Sequence, residues 1–154
     1  MSVSDTSLGD TVLAPPPSPW HSTIPAPDRE NSFYFEALRR HELLILRCQA
    51  DGCRRWVHYP LAMCPTCHGF ELAPEPVSGH GAVYSFTLVN REFTPNYPPP
   101  YVAVLVELDE QPGLRVLSNV VGCRARDVEI GMRVRATFAD YEQHSLVYFE
   151  PDVP

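Results

Sequence analysis

The sequence contains no lysine, and all twelve of its basic side chains are arginine. Without lysine the chain cannot form a lysine Schiff base with a carbonyl substrate, and it has no P-loop lysine for nucleotide phosphates. Nineteen acidic residues bring the net charge to −7 at pH 7. A negative chain attracts no polyanion over long range, so the composition argues against nucleic acid as a partner.

Long apolar runs and targeting segments are also missing. No run approaches membrane-spanning length, and the first ten residues, MSVSDTSLGD, lack the basic and apolar regions of a secretory signal. We therefore expect a cytoplasmic protein that makes no contact with a membrane. In a reducing cytoplasm, closely spaced cysteines predict a metal site before they predict disulfides.

Four of the five cysteines lie in the stretch RCQADGCRRWVHYPLAMCPTCHG, as Cys48 with Cys53 and Cys64 with Cys67. Each pair occupies a tight turn, so that two sulfurs can point at one ion. Four thiolates suit a single zinc ion, and a site with four cysteines has no open position for water, which predicts a structural metal. Iron in a rubredoxin-like site is the redox alternative, because the ligand type alone does not exclude it.

The pattern along the chain predicts a proline-rich tail over residues 1–27, a helix over 28–42, a zinc ribbon over 43–73 and a barrel domain over 74–154. Asp28 is the predicted N-cap of the helix, which should have about three turns. Trp20 in the tail either contacts the body or a partner, or is simply exposed. His58 and His68 are expected on the surface of the ribbon or beside the metal ligands.

From Gly81 onward the apolar residues alternate with polar ones, which predicts strands. The five predicted strands are AVYSFTLV, YVAVLVELD, LRVLSNVVG, MRVRATFADYE and LVYFEP. A brief turn or helix separates the third from the fourth, as in a five-stranded OB barrel. The stretch ELAPEPVSGHG, with two prolines and two glycines, is predicted to be a linker. The expected fold class is mainly β: an N-terminal helix, a small zinc ribbon and a five-stranded OB-fold barrel.

No combination of nucleophile, base and orienting group is visible, so we predict no catalytic residue. Ser85 and Ser118 lie in strand patterns and not on a nucleophile elbow. Cys123 is expected to be a small buried apolar residue. His80 and His144 are expected in solvated loops.

Three segments together resemble a known family: ALRRHELLILRC, SGHGAVYSFTLV, and PPYVAVLVELDEQPGLRVLSNVVGC followed by DVEIGMRV. They resemble the DUF35 family, which consists of OB-fold proteins with a rubredoxin-like zinc ribbon that are associated with acyl-CoA enzymes. The resemblance covers residues 28–151. The first cysteine pair has four intervening residues, whereas the family usually has two.

The resemblance implies a non-catalytic subunit that associates with a thiolase-fold enzyme, such as a thiolase or a lipid-transfer-type aldolase, and helps form its acyl-CoA site. A MaoC-type enoyl-CoA hydratase is the other partner that the resemblance allows. Two further hypotheses are a single-stranded nucleic-acid-binding OB protein and a small rubredoxin-like electron carrier.

The most ligand-like stretch is NREFTPNYPPPY, between the first two barrel strands, where OB folds often bind ligands. Its candidate residues are Arg91, Phe93, Tyr97 and Tyr101. The aromatic rings offer flat surfaces that three prolines stiffen, and Arg91 could meet a phosphate of CoA. The alternative is a loop that packs only on the barrel or on a protein partner.

Overall fold

The fold is a small three-stranded sheet followed by a closed five-stranded barrel. The computed structural model describes residues 9–16, 26–93 and 97–153. Within them, the helix and the strands are α1 Ser32–Leu38, β1 Leu44–Cys48, β2 Trp56–Val57, β3 Leu72–Pro76, β4 His80–Val89, β5 Tyr101–Leu108, β6 Arg115–Val120, β7 Arg133–Asp140 and β8 Ser145–Pro151. A 3-10 helix at Ala125–Asp127 separates β6 from β7. This architecture confirms the predicted fold class.

The barrel closes in the strand order β4-β5-β6-β8-β7, with β7 paired back to β4. Its neighbouring strands are antiparallel except β6 and β8, which run parallel at Val120 and Phe149. Alternate residues of β5 are buried in the barrel: Val102, Val104, Val106 and Leu108. Gly81 pairs with both β5 and β7, and a Cβ at this position would collide with the carbonyl group of Glu107. The absence of a side chain therefore lets β4 pair on both of its edges.

The ribbon sheet contains a strand that the sequence pattern does not predict. Its order is β2-β1-β3, and both pairings are antiparallel. Strand β3 lies in the stretch expected to be a linker, so that expectation is wrong. Pro74 and Pro76 lack a backbone N–H, which disfavours a central strand, but β3 is an edge strand that pairs only with β1.

Helix α1 is shorter than the predicted segment, with seven residues that follow Asn31. The prediction of Asp28 as the N-cap is wrong. Its carboxylate accepts hydrogen bonds from the backbone N–H groups of Glu30 (2.8 Å) and Asn31 (3.0 Å), so it stabilises a turn that precedes the helix. Among the described residues, no helix is both long and apolar enough to cross a membrane.

Part of the proline-rich tail packs on the barrel. The side chain of Leu13 is buried, and its backbone N–H donates to the carbonyl oxygen of Cys123 at 2.8 Å. The carbonyl oxygen of Leu13 accepts a hydrogen bond from Gly122 at 2.9 Å. Residues 9–16 thus belong to the folded body. Trp20 lies outside the described residues.

The ribbon and the barrel share one apolar core. Leu43, Ile45 and Trp56 of the ribbon belong to the same buried cluster as the barrel residues. The side chain of Gln111, in the turn after β5, accepts a hydrogen bond from the backbone N–H of Trp56 (3.0 Å) and donates one to its carbonyl oxygen (3.3 Å). Both contacts hold β2, and with it the cysteine cluster, against the barrel.

Candidate metal centre and neighbouring surfaces

The four ribbon cysteines come together in one cluster. Cys48 ends β1, Cys53 lies in the turn that follows, and Cys64 and Cys67 lie in the turn between β2 and β3. The sulfur atoms of Cys48 and Cys67 are 3.5 Å apart, those of Cys53 and Cys64 are 3.7 Å apart, and all four lie within 4.8 Å of one another. A tetrahedral ion with Zn–S bonds of about 2.3 Å would separate its sulfurs by about 3.8 Å. The cluster therefore has the size that one tetrahedral zinc ion requires.

Backbone hydrogen bonds hold both turns. The N–H of Cys53 donates to the carbonyl oxygen of Ala50 at 3.1 Å, and the N–H of His68 donates to that of Cys64 at 3.0 Å. The first turn also places Gly52 at a φ of 78°, a left-handed conformation that glycine adopts without steric cost. The wider spacing of the first cysteine pair thus closes into a compact turn.

The electrostatic surroundings differ among the thiols. Hydrogen bonds from the backbone N–H groups of Cys67 and Thr66 lower the pKa of Cys64 to about 6. The N–H of Ala50 also favours the thiolate of Cys48, but burial and the neighbouring thiols outweigh it and raise the pKa of Cys48 to about 12. Metals bind thiolates, so the backbone N–H groups that favour the thiolate forms of Cys64 and Cys48 also favour metal binding.

The two nearby histidines lie outside the cluster. His68 is exposed at a positive φ of 62°. The ring of His58 lies 6.2 Å from that of Tyr34 and 4.3 Å from that of Tyr59, and burial lowers its pKa to about 4. The set of candidate ligands in the described residues is therefore four cysteines, which leaves no coordination position for substrate.

A polar network that sequence inspection missed supports the first turn. The carboxylate of Glu75 in β3 accepts hydrogen bonds from Arg47 (3.0 Å), Arg54 (2.8 Å) and Gln49 (2.9 Å). Hydrogen bonds from Gln49 and Arg47, together with the charge of Arg54, lower the pKa of this carboxyl group. The guanidinium of Arg47 also lies 4.7 Å from the ring centre of Trp56. The network connects the cysteine turn to the edge strand. It forms because β3 pairs with β1, and the sequence gives no indication of that pairing.

The structure divides the candidate ligand loop into two parts. Arg91 and Phe93 are exposed, with 73% of Phe93 accessible. Tyr97 is buried, and its ring meets that of Tyr101 edge to face at 4.4 Å. The three residues between the two parts lie outside the described residues. Of the four candidate residues, Arg91 and Phe93 are exposed as expected, whereas Tyr97 is buried and Tyr101 is half-buried.

His144 departs from the solvated position expected for it. Both of its ring nitrogens are buried and have no hydrogen-bond partner among the described residues. The ring stacks on Tyr141 at 5.3 Å, in the hairpin between β7 and β8. His80 is partly exposed and pairs with Asp152 at 2.8 Å. Sequence spacing gives no indication of this difference, because it depends on how α1 packs over the hairpin.

Two family models match the chain. The ChsH2 rubredoxin-like zinc ribbon domain matches residues 35–73, and the ChsH2 C-terminal OB-fold domain matches residues 74–139. The matches are contiguous and meet inside β3. They identify the cysteine cluster as that of a zinc ribbon.

Curated relatives are similar over most of this chain. It is 37% identical to a probable enoyl-CoA hydratase alpha subunit of Thermomonospora curvata, over 84% of this chain and 40% of the relative. It is 36% identical to the 3-oxo-4,17-pregnadiene-20-carboxyl-CoA hydratase alpha subunit of Mycobacterium tuberculosis, over 83% of this chain and 40% of the relative. The chain thus spans about two fifths of the length of these two relatives. It is also 35% identical to a DUF35 domain-containing scaffold protein of Methanocaldococcus jannaschii, over 64% of this chain and 69% of the relative.

Solved structures give the same family. The structure of an Ltp2-ChsH2(DUF35) aldolase contains a chain that matches with a TM-score of 0.76 and 36% identity, over 84% of this chain and 100% of that one. A DUF35-family protein of unknown function from Sulfolobus solfataricus matches with a TM-score of 0.54 and 16% identity, over 80% of this chain and 86% of that one. The second likeness concerns the fold alone. With its ribbon, its barrel and these relatives, the chain belongs to the DUF35 family.

Proposed function

We propose that Cys48, Cys53, Cys64 and Cys67 bind one zinc ion with a structural role. The spacing of the sulfurs, the closed four-cysteine set and the match to a zinc ribbon model support this assignment. Zinc would supply the cross-link that two short turns and a two-residue strand do not provide by packing. The grouped thiols also fit the cytoplasmic location that the sequence predicts.

We infer that the chain is a non-catalytic subunit of an acyl-CoA enzyme, which associates with a thiolase-fold partner and helps form its acyl-CoA site. One observation carries this proposal: the matching chain of the Ltp2-ChsH2(DUF35) aldolase is covered over its whole length at 36% identity. The scaffold name of an archaeal relative supports a role in assembly. The partner would be a thiolase or a lipid-transfer-type aldolase, and it would carry the catalytic residues.

Exposed apolar side chains on the ribbon support the inference that a protein partner covers this part of the chain. Tyr59, Leu61 and Met63 lie in the loop before the second cysteine pair, and Phe70 lies just after that pair. Between 40% and 77% of each residue is accessible. Four large apolar side chains that are exposed within twelve residues of sequence favour a protein interface.

A MaoC-type enoyl-CoA hydratase is the second candidate partner. Two relatives that are 36% and 37% identical carry the name of a hydratase alpha subunit. The proposal about the acyl-CoA site is common to both partners, since both act on CoA thioesters.

A pull-down tests the proposal and separates the partners. The tagged chain is purified from the cells that produce it, and the eluate is examined by mass spectrometry and metal analysis. A stoichiometric thiolase-fold protein with one zinc ion per chain is the expected result. A MaoC-type protein in its place would support the second candidate. A chain recovered without either partner, carrying nucleic acid or iron, would contradict the proposal.

A matched pair of variants tests the ribbon surface. Phe70→Asp places a charge on this surface, and Ile130→Asp places one on an equally exposed residue of the barrel, since 77% and 71% of the two residues are accessible. We expect the first variant to recover at least tenfold less partner and the second to recover as much as the unaltered chain. Equal recovery by both variants would show that the ribbon surface is not the interface.

We further propose that Arg91, Phe93, Tyr97 and Tyr101 border the acyl-CoA site or the partner. The exposed arginine and phenylalanine are the ones that could make direct contact, whereas the rings of the two tyrosines pack against each other. Arg91→Ala should therefore raise the Kd of the assembled complex for CoA, measured by calorimetry, without changing recovery of the partner. An unchanged Kd would mean that the loop only packs.

A further inference from the structure

A cavity of about 260 Å³ lies between helix α1 and the barrel. The helix contributes Tyr34, Phe35 and Leu38 to one wall, and β8 contributes Val147 and Tyr148 to another. The walls are thus mainly aromatic and aliphatic. An apolar cavity of about 150 Å³ is large enough for benzene, so this one has room for about two fused rings.

Three other polar groups around the cavity have partners within the protein. The hydroxyl of Ser118 donates to the carbonyl oxygen of Val147 at 2.7 Å, and the side-chain amide of Asn119 donates to that of Val102 at 3.0 Å. The hydroxyl of Tyr148 lies 3.2 Å from that of Tyr141. These contacts define the walls and leave little for a ligand to displace.

His144 is the exception. It lines the cavity, and neither its Nδ1 nor its Nε2 has a hydrogen-bond partner within the described part of the chain, although both atoms are buried. A buried polar group that is left unpaired loses its hydration without compensation, so native proteins rarely retain one without a use. Stacking on Tyr141 holds the ring in place. A small rotation of the ring would turn one of these unpaired nitrogens toward a group that enters the cavity.

The lining restricts the chemistry of that group. Apart from His144, every lining residue is uncharged. A carboxylate or phosphate would thus be buried without a fixed cation, which is costly. An uncharged imidazole offers one donor and one acceptor, and a hydroxyl can pair with whichever nitrogen faces it.

We propose that the cavity between α1 and the barrel is a binding site for an uncharged, mainly apolar molecule of about two fused rings, whose hydroxyl group pairs with His144. The site does not depend on the metal cluster, and it would exist whether or not the partner is a thiolase-fold enzyme. It gives this chain a ligand of its own.

Calorimetry with three probes of one ring system tests the proposal on the full, zinc-loaded chain. The probes are 2-naphthol, naphthalene and 2-naphthoate. We expect 2-naphthol to bind tightest, naphthalene about tenfold more weakly because it lacks the hydroxyl, and 2-naphthoate to show no binding. Absence of 2-naphthol binding, or tighter binding of the carboxylate, would overturn the proposal.

Single substitutions test whether 2-naphthol binds in this cavity. His144→Leu should reduce the affinity for 2-naphthol about tenfold and leave that for naphthalene unchanged, because only the hydrogen bond is lost. Leu146→Trp should fill the cavity and abolish binding of both. His80→Gln, a histidine variant outside the cavity, should bind as the unaltered chain does. Binding of 2-naphthol that persists in both cavity variants would place it elsewhere and refute the assignment.

Discussion

We expect the stability of the ribbon to depend on pH through His58. Burial lowers its pKa from 6.5 to about 4 in the folded chain. Between pH 4 and pH 6.5 the unfolded chain therefore binds more protons at His58 than the folded chain does. Protonation of His58 does not reduce the free energy of unfolding above pH 6.5, and it reduces this free energy progressively as the pH falls from 6.5 to 4. The full difference corresponds to roughly 3 kcal/mol at most, because one pKa unit is about 1.4 kcal/mol.

His58→Gln should remove this dependence. Thermal unfolding measured between pH 7.5 and pH 5 at constant free zinc should show a smaller loss of Tm in this variant than in the unaltered chain. His80→Gln replaces a partly exposed histidine and should retain the full loss. If the two variants lose Tm in parallel, His58 is not the group responsible.

Two aromatic residues of the candidate ligand loop should differ in their effect on stability. Tyr97→Ala removes a ring that is only 9% accessible and packs on Tyr101, so we expect a loss of about 2–4 kcal/mol in the free energy of unfolding. Phe93→Ala removes a ring that is 73% accessible and should change it by less than about 0.5 kcal/mol. Denaturant unfolding measures both, and equal losses would contradict the division of the loop.

At the scale of elements, the ribbon should depend on its metal while the barrel does not. The turns that carry the cysteines and the two-residue strand β2 contribute few residues to the core, whereas β5 alone contributes four. Cys64→Ser should therefore lose the zinc and the protection of the ribbon amides from hydrogen exchange, and retain protection in β4 to β8.

Cys123→Ser is the matched control for this experiment, because Cys123 is the one cysteine outside the cluster. It should keep one zinc ion per chain and normal exchange in the ribbon. A Cys64→Ser variant that has lost its zinc but still protects β2 would show that packing alone holds the ribbon, and the structural role of the metal would be refuted.

Sequence patterns predict elements well where the determining residues are close in the chain. The two cysteine pairs and the alternation in β5 depend on spacings of two to five residues, and both are found as expected. Strand β3 was missed because its prolines indicate a loop unless its edge position is known. The burial of His144 and of Leu13 depends on packing between distant segments, for which one sequence contains no local pattern.

For the whole molecule, the charge distribution predicts weak binding to polyanions. The net charge is −7, and arginines on the barrel are paired with carboxylates: Arg133 with Asp109, Arg135 with Glu150, and Arg124 with Asp127. Little positive potential remains for a phosphate backbone. We expect the chain to pass through a heparin column at low salt without retention, and retention that decreases steeply with salt would instead support the nucleic-acid-binding hypothesis.

The position of β3 has a consequence for how such chains can be cut and recombined. The boundary between the two matched family models, after residue 73, falls inside this strand, and all five of its residues pair with β1. A gene divided at that boundary would encode two fragments that each keep part of one strand. Ribbon and barrel should therefore be inherited together as one unit. Chimaeras joined after Pro76 should fold better than chimaeras joined at the boundary after residue 73, because they keep β3 intact.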